Sequence, residues 1–383
     1  MLIGINATAA VKQPRTGVEE YTYQLIKHLT MLPEAREHRF LLYLPPVLEN
    51  PIFDFPLPKN FIIKELKWPL ELLWTQIRLA WEMLINPSDI FFIPVHVLPF
   101  SHPKNSVVTI HGLEYEHYPQ YYPAWHRVYL RWVTKYSVFG ARRVIAISES
   151  TKKDLIERQP KKAQKISVVH HGFCFPAVTN LAKNSIFQKK RRQKKERIQY
   201  GLANIRKPYL IYLGRLEQKK NIEGILEAYK ILKQEHKISH QLVLAGAPGY
   251  GYKNIKYQIS NIKNKEEIIF TGYVSEDEKW QLLTNADIFL FPSFYEGFGL
   301  PVLEAQAAGA PVVTSFVSSL PEVAGQGALF VNPKNPAQIA EAAKRIIDDR
   351  NLRDRLIESG YENLKRFSWE KCARETLKIL VEK

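Results

Sequence analysis

The sequence predicts an α/β chain made of two doubly wound, Rossmann-like parallel-sheet domains. Three observations predict it. Strand-like apolar runs alternate with helical patterns from residue 2 to residue 148, the signature of βαβ units and a parallel sheet. The same alternation restarts after Pro208. The composition, 45% hydrophobic and 24% charged over 383 residues, supplies apolar material for two cores.

The first set runs LIGIN, a helix from Gly17 to Leu32, FLLYL, DIFFIP, SVVTIH and RRVIAIS. The second runs YLIYLGR, a helix from about Asn221 to Gln234, QLVLAG, IIFTG, DIFLFPS, a helix from about Gly299 to Ala308, and APVVTS. The tail after residue 335 reads as helical, with Asn335-Pro336 as one start and Ser368 as the N-cap of another. The expected domains are 1–180, a basic linker at 181–207, a second domain at 208–365 and a terminal helix at 366–383. No internal repeat of solenoid length occurs. In open α/β sheets ligands sit at the carboxyl ends of strands, so two such sheets suggest a site in a cleft between them.

The formal charge is +16, unevenly spread: +6 over residues 1–180, +7 over 181–200 and +3 over the rest. The dense run, Lys189 to Arg197, reads as a solvated linker or as a polyanion contact. It lacks interleaved aromatics, which disfavours a nucleic-acid-binding protein. Cys174 and Cys372 lie far apart without metal spacing and fit a reducing, cytoplasmic compartment. No signal peptide and no membrane-spanning run is expected.

Four segments carry chemistry, each just after a predicted strand. In FPSFYEGFGLPVLEAQAAGAPVV, Gly297 and Gly299 let the backbone approach a ligand, and the following helix offers N–H groups to a diphosphate. Glu296 and Glu304, eight residues apart, carry carboxylates that accept hydrogen bonds from sugar hydroxyls. In YLIYLGRLEQKKN, Arg215 and Lys220 bring two cations to one loop, with Lys219 an alternative to Lys220. SVVTIHGLEYEHYP delivers His111, and Gly17 opens a helix in AAVKQPRTGVEEY.

The first string resembles the E-x7-E signature of glycosyltransferase family 4, and the resemblance extends from Gly17 to the terminal FSWEKCARETL. It implies the GT-B fold, two facing Rossmann-like domains with a C-terminal crossover helix. It implies that Glu304 holds the donor ribose and Glu296 the transferred sugar. Phe298, Gly299 and Leu300 would give backbone amides to sugar and diphosphate. Arg215 and Lys220 would neutralise the diphosphate, as in the family's GR…KG segment, with Asn221 where glycine is usual. His111 resembles the histidine of the family's HD…P motif, with Gly112 where aspartate is usual. Gly17 corresponds to a glycine-rich loop in which Thr16 replaces a second glycine. Val274 would offer its backbone to the base, and Ser148 would lie at the cleft.

The resemblance also implies a retaining transfer. No Asp or Glu stands out as a nucleophile, so front-face displacement is expected, without metal and without a bound cofactor. His111 and PVHVLPF look most like the mannosyltransferase branch, which suggests GDP-mannose as donor. UDP-glucose and UDP-N-acetylglucosamine are the alternatives. The acceptor would be a saccharide or lipid-linked saccharide. The Trp- and Leu-rich stretch Leu66 to Leu84 reads as a core-facing amphipathic helix or as a membrane-facing surface. Arg127, Arg131, Arg142 and Arg143 would suit anionic lipid heads, with the enzyme peripheral on the inner face of the cell membrane.

Overall fold

A computed structural model describes residues 1–13, 15, 17–46, 52–69, 73–174, 204–260, 262–263 and 265–382. The basic run at 189–197 and Thr16 lie outside the described residues. The chain divides into two compact units, Met1–Gly172 with Phe367–Lys383, and Phe173–Arg366.

The sheet of the first unit holds β1 (Leu2–Asn6), β2 (Arg39–Leu44), β3 (Phe61–Glu65), β4 (Ile90–Ile93), β5 (Ser106–Ile110), β6 (Arg143–Ala146) and β7 (Ile166–Val168). All pairings are parallel, in the order β3-β2-β1-β4-β5-β6-β7. Both faces are buried, as the continuous apolar runs require. Ile90 and Phe92 point into one cluster with Ile3, Ile5 and Leu42. Phe91 and Ile93 point into the other with Val108 and Ile110. The first cluster is completed by the terminal helix Trp369–Val381 through Trp369, Ala373, Leu377 and Leu380. Ser368 caps this helix, accepting from the Lys371 amide at 3.1 Å.

The second unit holds β8 (Tyr209–Leu213), β9 (Gln241–Ala245), β10 (Ile268–Gly272), β11 (Ile288–Phe291), β12 (Val312–Ser315) and β13 (Ala328–Val331). They too are all parallel, in the order β10-β9-β8-β11-β12-β13, around a single apolar core. Each sheet reverses its direction of growth once, between β1 and β4 and between β8 and β11. Such switch points open a crevice beyond the carboxyl ends of the flanking strands.

Two expectations need correction. The segment after residue 66 is not one helix: a π-helical turn at Trp74–Leu79 runs into a short α-helix at Ala80–Ile85. Three of the four arginines expected to face lipid are spent inside the first unit. Arg131 forks onto Glu116 at 2.8 and 2.7 Å. Arg142 donates to the carbonyls of Ile379, Leu380 and Glu382, closing the C-terminal end of the last helix. Arg143 donates to Gln164 O and pairs with Glu382, each at 3.1 Å.

Candidate active site

The loops after β8 and β11 flank the switch point of the second sheet, and they carry the residues singled out in the sequence. The Lys220 ammonium donates to both oxygens of Glu296, each at 2.7 Å. Both side chains are mostly shielded, 18% and 10% exposed. A desolvated pair of this kind is held in place by more than charge. The Phe294 amide donates to Lys219 O at 3.1 Å, tying one loop to the other. The Glu296 amide donates to Ser318 Oγ at 3.0 Å. Ser319 Oγ donates to the carbonyls of Glu296 and Phe298 at 2.9 and 2.6 Å. Lys220 rather than Lys219 therefore meets the first glutamate; Lys219 lies 3.5 Å from Glu217.

Asn221 occupies the position where glycine was expected. Its φ is 59°, the left-handed region that asparagine tolerates best after glycine. Its side chain caps the Ile222–Gln234 helix and donates to Pro292 O and Pro333 O at 3.0 and 2.6 Å. The substitution thus keeps the backbone turn and adds a strut to the β11 loop.

Gly299 has φ 114° and precedes the Leu300–Ala307 helix, so a side chain there would be strained. Phe298 and Gly297 are buried beside it. Glu304, one turn into this helix, meets a residue the sequence did not point to. Lys279 donates to Glu304 Oε1 at 2.7 Å and to Glu276 at 2.9 Å. Burial pulls the Lys279 ammonium down, but the Glu304 and Glu276 carboxylates outweigh it and hold it above its usual value. Arg215 is 58% exposed and 3.4 Å from Glu217. Val274 is half-buried between β10 and Ser275, the cap of the next helix. The second unit thus collects cations and carboxylates on loops and helix starts beyond the carboxyl ends of its strands, suited to an anionic ligand that also carries hydroxyls.

In the first unit, three histidines leave the carboxyl ends of three strands: His96 after β4, His111 after β5 and His171 after β7. His111 Nε2 donates to Pro94 O at 2.7 Å, which fixes its tautomer, and its amide donates to His96 Nδ1 at 3.3 Å. The Tyr21 ring meets His111 edge-on at 4.9 Å and stacks on His171 at 4.7 Å. Trp369 lies 5.9 Å from His171 and 6.2 Å from Tyr21, so the three rings form one cluster. Gly112 has φ 141°, a backbone that disfavours the aspartate usual there. Gly17 opens the Gly17–Met31 helix at the surface. Ser148 is buried as the N-cap of the Glu149–Arg158 helix, its hydroxyl accepting from the Thr151 amide at 3.1 Å.

Burial pushes all three histidines down, His171 to about 3 and His111 well below its ordinary value. They are neutral in the fold, whereas in the unfolded chain each takes a proton near pH 6.5. Stability is therefore lost as pH falls below about 6.5, where the unfolded state binds more protons. Thermal unfolding followed by tryptophan fluorescence, to which the first unit contributes every indole but Trp280, should show a midpoint that falls steeply from pH 7 to 5. His171→Phe should flatten that slope by about 1.4 kcal/mol per pH unit.

Comparison with known proteins fits this geometry. The family model for glycosyl transferases group 1 matches residues 193–363, and that for Glycosyltransferase Family 4 matches residues 15–173. The chain belongs to glycosyltransferase family 4. It is 29% identical to the O-antigen chain mannosyltransferase B of Escherichia coli over 97% of this chain and 98% of that protein. It is 25% identical to the O-antigen chain mannosyltransferase RfbU of Salmonella typhimurium, covering 75% of this chain and 72% of that one. Among solved structures, a sucrose-phosphate synthase from Thermosynechococcus elongatus superposes with a TM-score of 0.72, at 18% identity over 99% of this chain and 98% of that one. WaaG, a glycosyltransferase of lipopolysaccharide biosynthesis, superposes with a TM-score of 0.69, at 14% identity over the whole of both chains. The family 4 glycosyltransferase fold, GT-B, is thus the fold of this chain. Among the described residues no helix is long and apolar enough to cross a membrane.

Proposed function

We propose that this glycosyltransferase moves mannose from GDP-mannose, with retention, to a saccharide or lipid-linked saccharide acceptor in polysaccharide, lipopolysaccharide or glycolipid synthesis. The observation that carries the donor site is the Lys220–Glu296 pair at the switch point of the second sheet. The similarity to mannosyltransferases along nearly the whole chain supports the sugar. In this reading Glu296 takes hydroxyls of the mannose and Glu304 those of the ribose. Lys279 occupies only Oε1 of Glu304 and orients Oε2 for the ligand. Gly297, Phe298, Gly299 and Leu300 bring backbone to the diphosphate, and Val274 serves the base. His111 serves the transferred sugar. At Gly17 an added Cβ would meet nothing within 4 Å, so the fold itself does not demand glycine, which supports a ligand-facing role.

Glu296 is engaged at both oxygens by Lys220, which disfavours it as a nucleophile. The chemistry is then a front-face displacement. The anomeric carbon–phosphate oxygen bond breaks while the acceptor hydroxyl forms its bond on the same face, and its proton passes to the departing phosphate. Lys220 and Arg215 offset the charge that develops on the nucleoside diphosphate, in place of a metal ion. No bound cofactor takes part. The enzyme works in the cytoplasm, peripheral to the inner face of the membrane where a lipid-linked acceptor is presented.

A thermal-shift comparison of nucleoside diphosphates tests the donor. GDP should raise the unfolding temperature and UDP should not, because only a ligand of the folded state stabilises it. Stabilisation by UDP alone would replace GDP-mannose with a UDP-sugar. No response to either would sink the donor site.

A further inference from the structure

The Ala124–Gly140 helix of the first unit is apolar on two sides. Val133, Thr134, Ser137 and Val138 are buried. Trp125, Val128, Tyr129, Trp132 and Phe139 follow helical spacing on the opposite side, exposed by 45% to 74%. A surface helix needs only the first of these stripes for its core. A second exposed ridge, Leu73, Ile77, Trp81, Leu84 and Ile85, runs along residues 73–85 at 43% to 61% exposure.

Phe100 joins the two ridges. Its ring lies 5.7 Å from Trp132 and 5.9 Å from Tyr136. With Trp68, Ile77, Trp81 and Leu84 it also lines a groove of about 480 Å³. Gln76 fastens the junction: it accepts from the Phe100 amide at 3.1 Å and donates to Leu98 O at 3.3 Å. The exposed rings therefore form one continuous apolar face, of the kind that marks an interaction surface.

Charge selects the occupant. The helix carries Arg127, Arg131 and Lys135 and no acidic residue. The Lys162 ammonium lies 4.3 Å over the Phe139 ring at its far end. A second copy docking on the same face would bring like charges together. Tryptophan and tyrosine beside lysine and arginine suit the boundary between headgroups and acyl chains of an anionic bilayer.

We propose that this face, centred on Phe100 and Trp132, is where the protein seats on an anionic lipid surface, with Lys135 and Lys162 reaching the phosphates. The inference rests on the peripheral-membrane reading above and assigns its surface. That surface is wider than the 66–84 stretch considered from sequence, and it does not depend on Arg131, Arg142 or Arg143.

Co-sedimentation of the full chain with phosphatidylcholine vesicles, with and without phosphatidylglycerol, tests it. The anionic vesicles should bind roughly tenfold or more tightly than the neutral ones, and less so as salt rises. Trp125→Glu with Trp132→Glu should weaken binding at least about tenfold while the melting temperature stays unchanged. Tyr257→Glu, at a position 72% exposed in the second unit, should bind as the wild type does. A double variant that binds anionic vesicles normally would overturn the assignment. So would a concentration-dependent dimer that the same two substitutions disperse. Nucleoside diphosphate stabilisation, measured in parallel, reports on the donor site separately, so failure of one reading does not masquerade as failure of the other.

Discussion

Lys220→Ala is expected to lower the rate of transfer about 10²- to 10³-fold, the usual cost of removing one group aimed at charge that develops in the transition state. The loss should fall mainly on kcat, because the leaving diphosphate gains charge as the bond breaks. A second effect travels with it. Glu296 is only 8% exposed, and the substitution leaves its carboxylate without the ammonium that holds both oxygens. Removing one partner of a shielded pair costs about 2 kcal/mol or more. The two effects separate in the double variant Lys220→Ala with Glu296→Gln. It should recover most of the lost stability, since no unpaired charge remains, and none of the lost transfer. Steady-state kinetics and thermal melts of the three proteins check this. Transfer by Lys220→Ala within threefold of wild type would show that the ammonium does not meet the leaving group.

Gly172→Ala is expected to give the largest loss of stability in the first unit, about 3 kcal/mol or more. A Cβ built on Gly172 would lie 2.2 Å from the Trp369 amide nitrogen and 2.3 Å from its Cα. Those are backbone atoms, so no side-chain rotation relieves the overlap. The terminal helix must shift, and with it Trp369, Cys372, Ala373, Leu377 and Leu380 leave the core they complete. Cys372 gives a direct readout. It is buried, and burial pushes its thiol up to about 12, whereas Cys174 is exposed. A thiol reagent should therefore modify only Cys174 quickly in the wild type and both cysteines in Gly172→Ala. Continued protection of Cys372 in the variant would mean that the helix is not displaced.

Most of the fold was legible because its strands are buried on both faces and read as uninterrupted apolar runs, from LIGIN to APVVTS. β3 and β13 escaped notice for a physical reason. Both are edge strands with partly exposed positions, Phe61–Glu65 and Ala328–Val331, so their apolar signal is weak. Asn335 and Ser368 were readable as caps because an N-cap acts over three residues. Within the candidate site, the residues on the strand-end loops could be found from local spacing. Lys279 could not, because its contact with Glu304 depends on how two helices of the second unit pack. His96 and His171 stayed hidden for the same reason: only the parallel order β4-β5-β6-β7 brings them to His111. Arg131, Arg142 and Arg143 read as charge for anionic lipid heads, yet each also engages a partner within the first unit: Glu116, the end of the terminal helix, and Gln164 with Glu382.

In the proposed reading the second unit holds a nucleotide-sugar, with Glu296 gripping the sugar and Lys220 the diphosphate. Titration calorimetry with GDP and with GDP-mannose, on wild type and on Glu296→Ala, tests it most directly. The wild type should bind both ligands. Glu296→Ala should keep its affinity for GDP and lose, by about tenfold, the part of the affinity for GDP-mannose that the sugar adds. A Glu296→Ala protein that binds both ligands as the wild type does would contradict it.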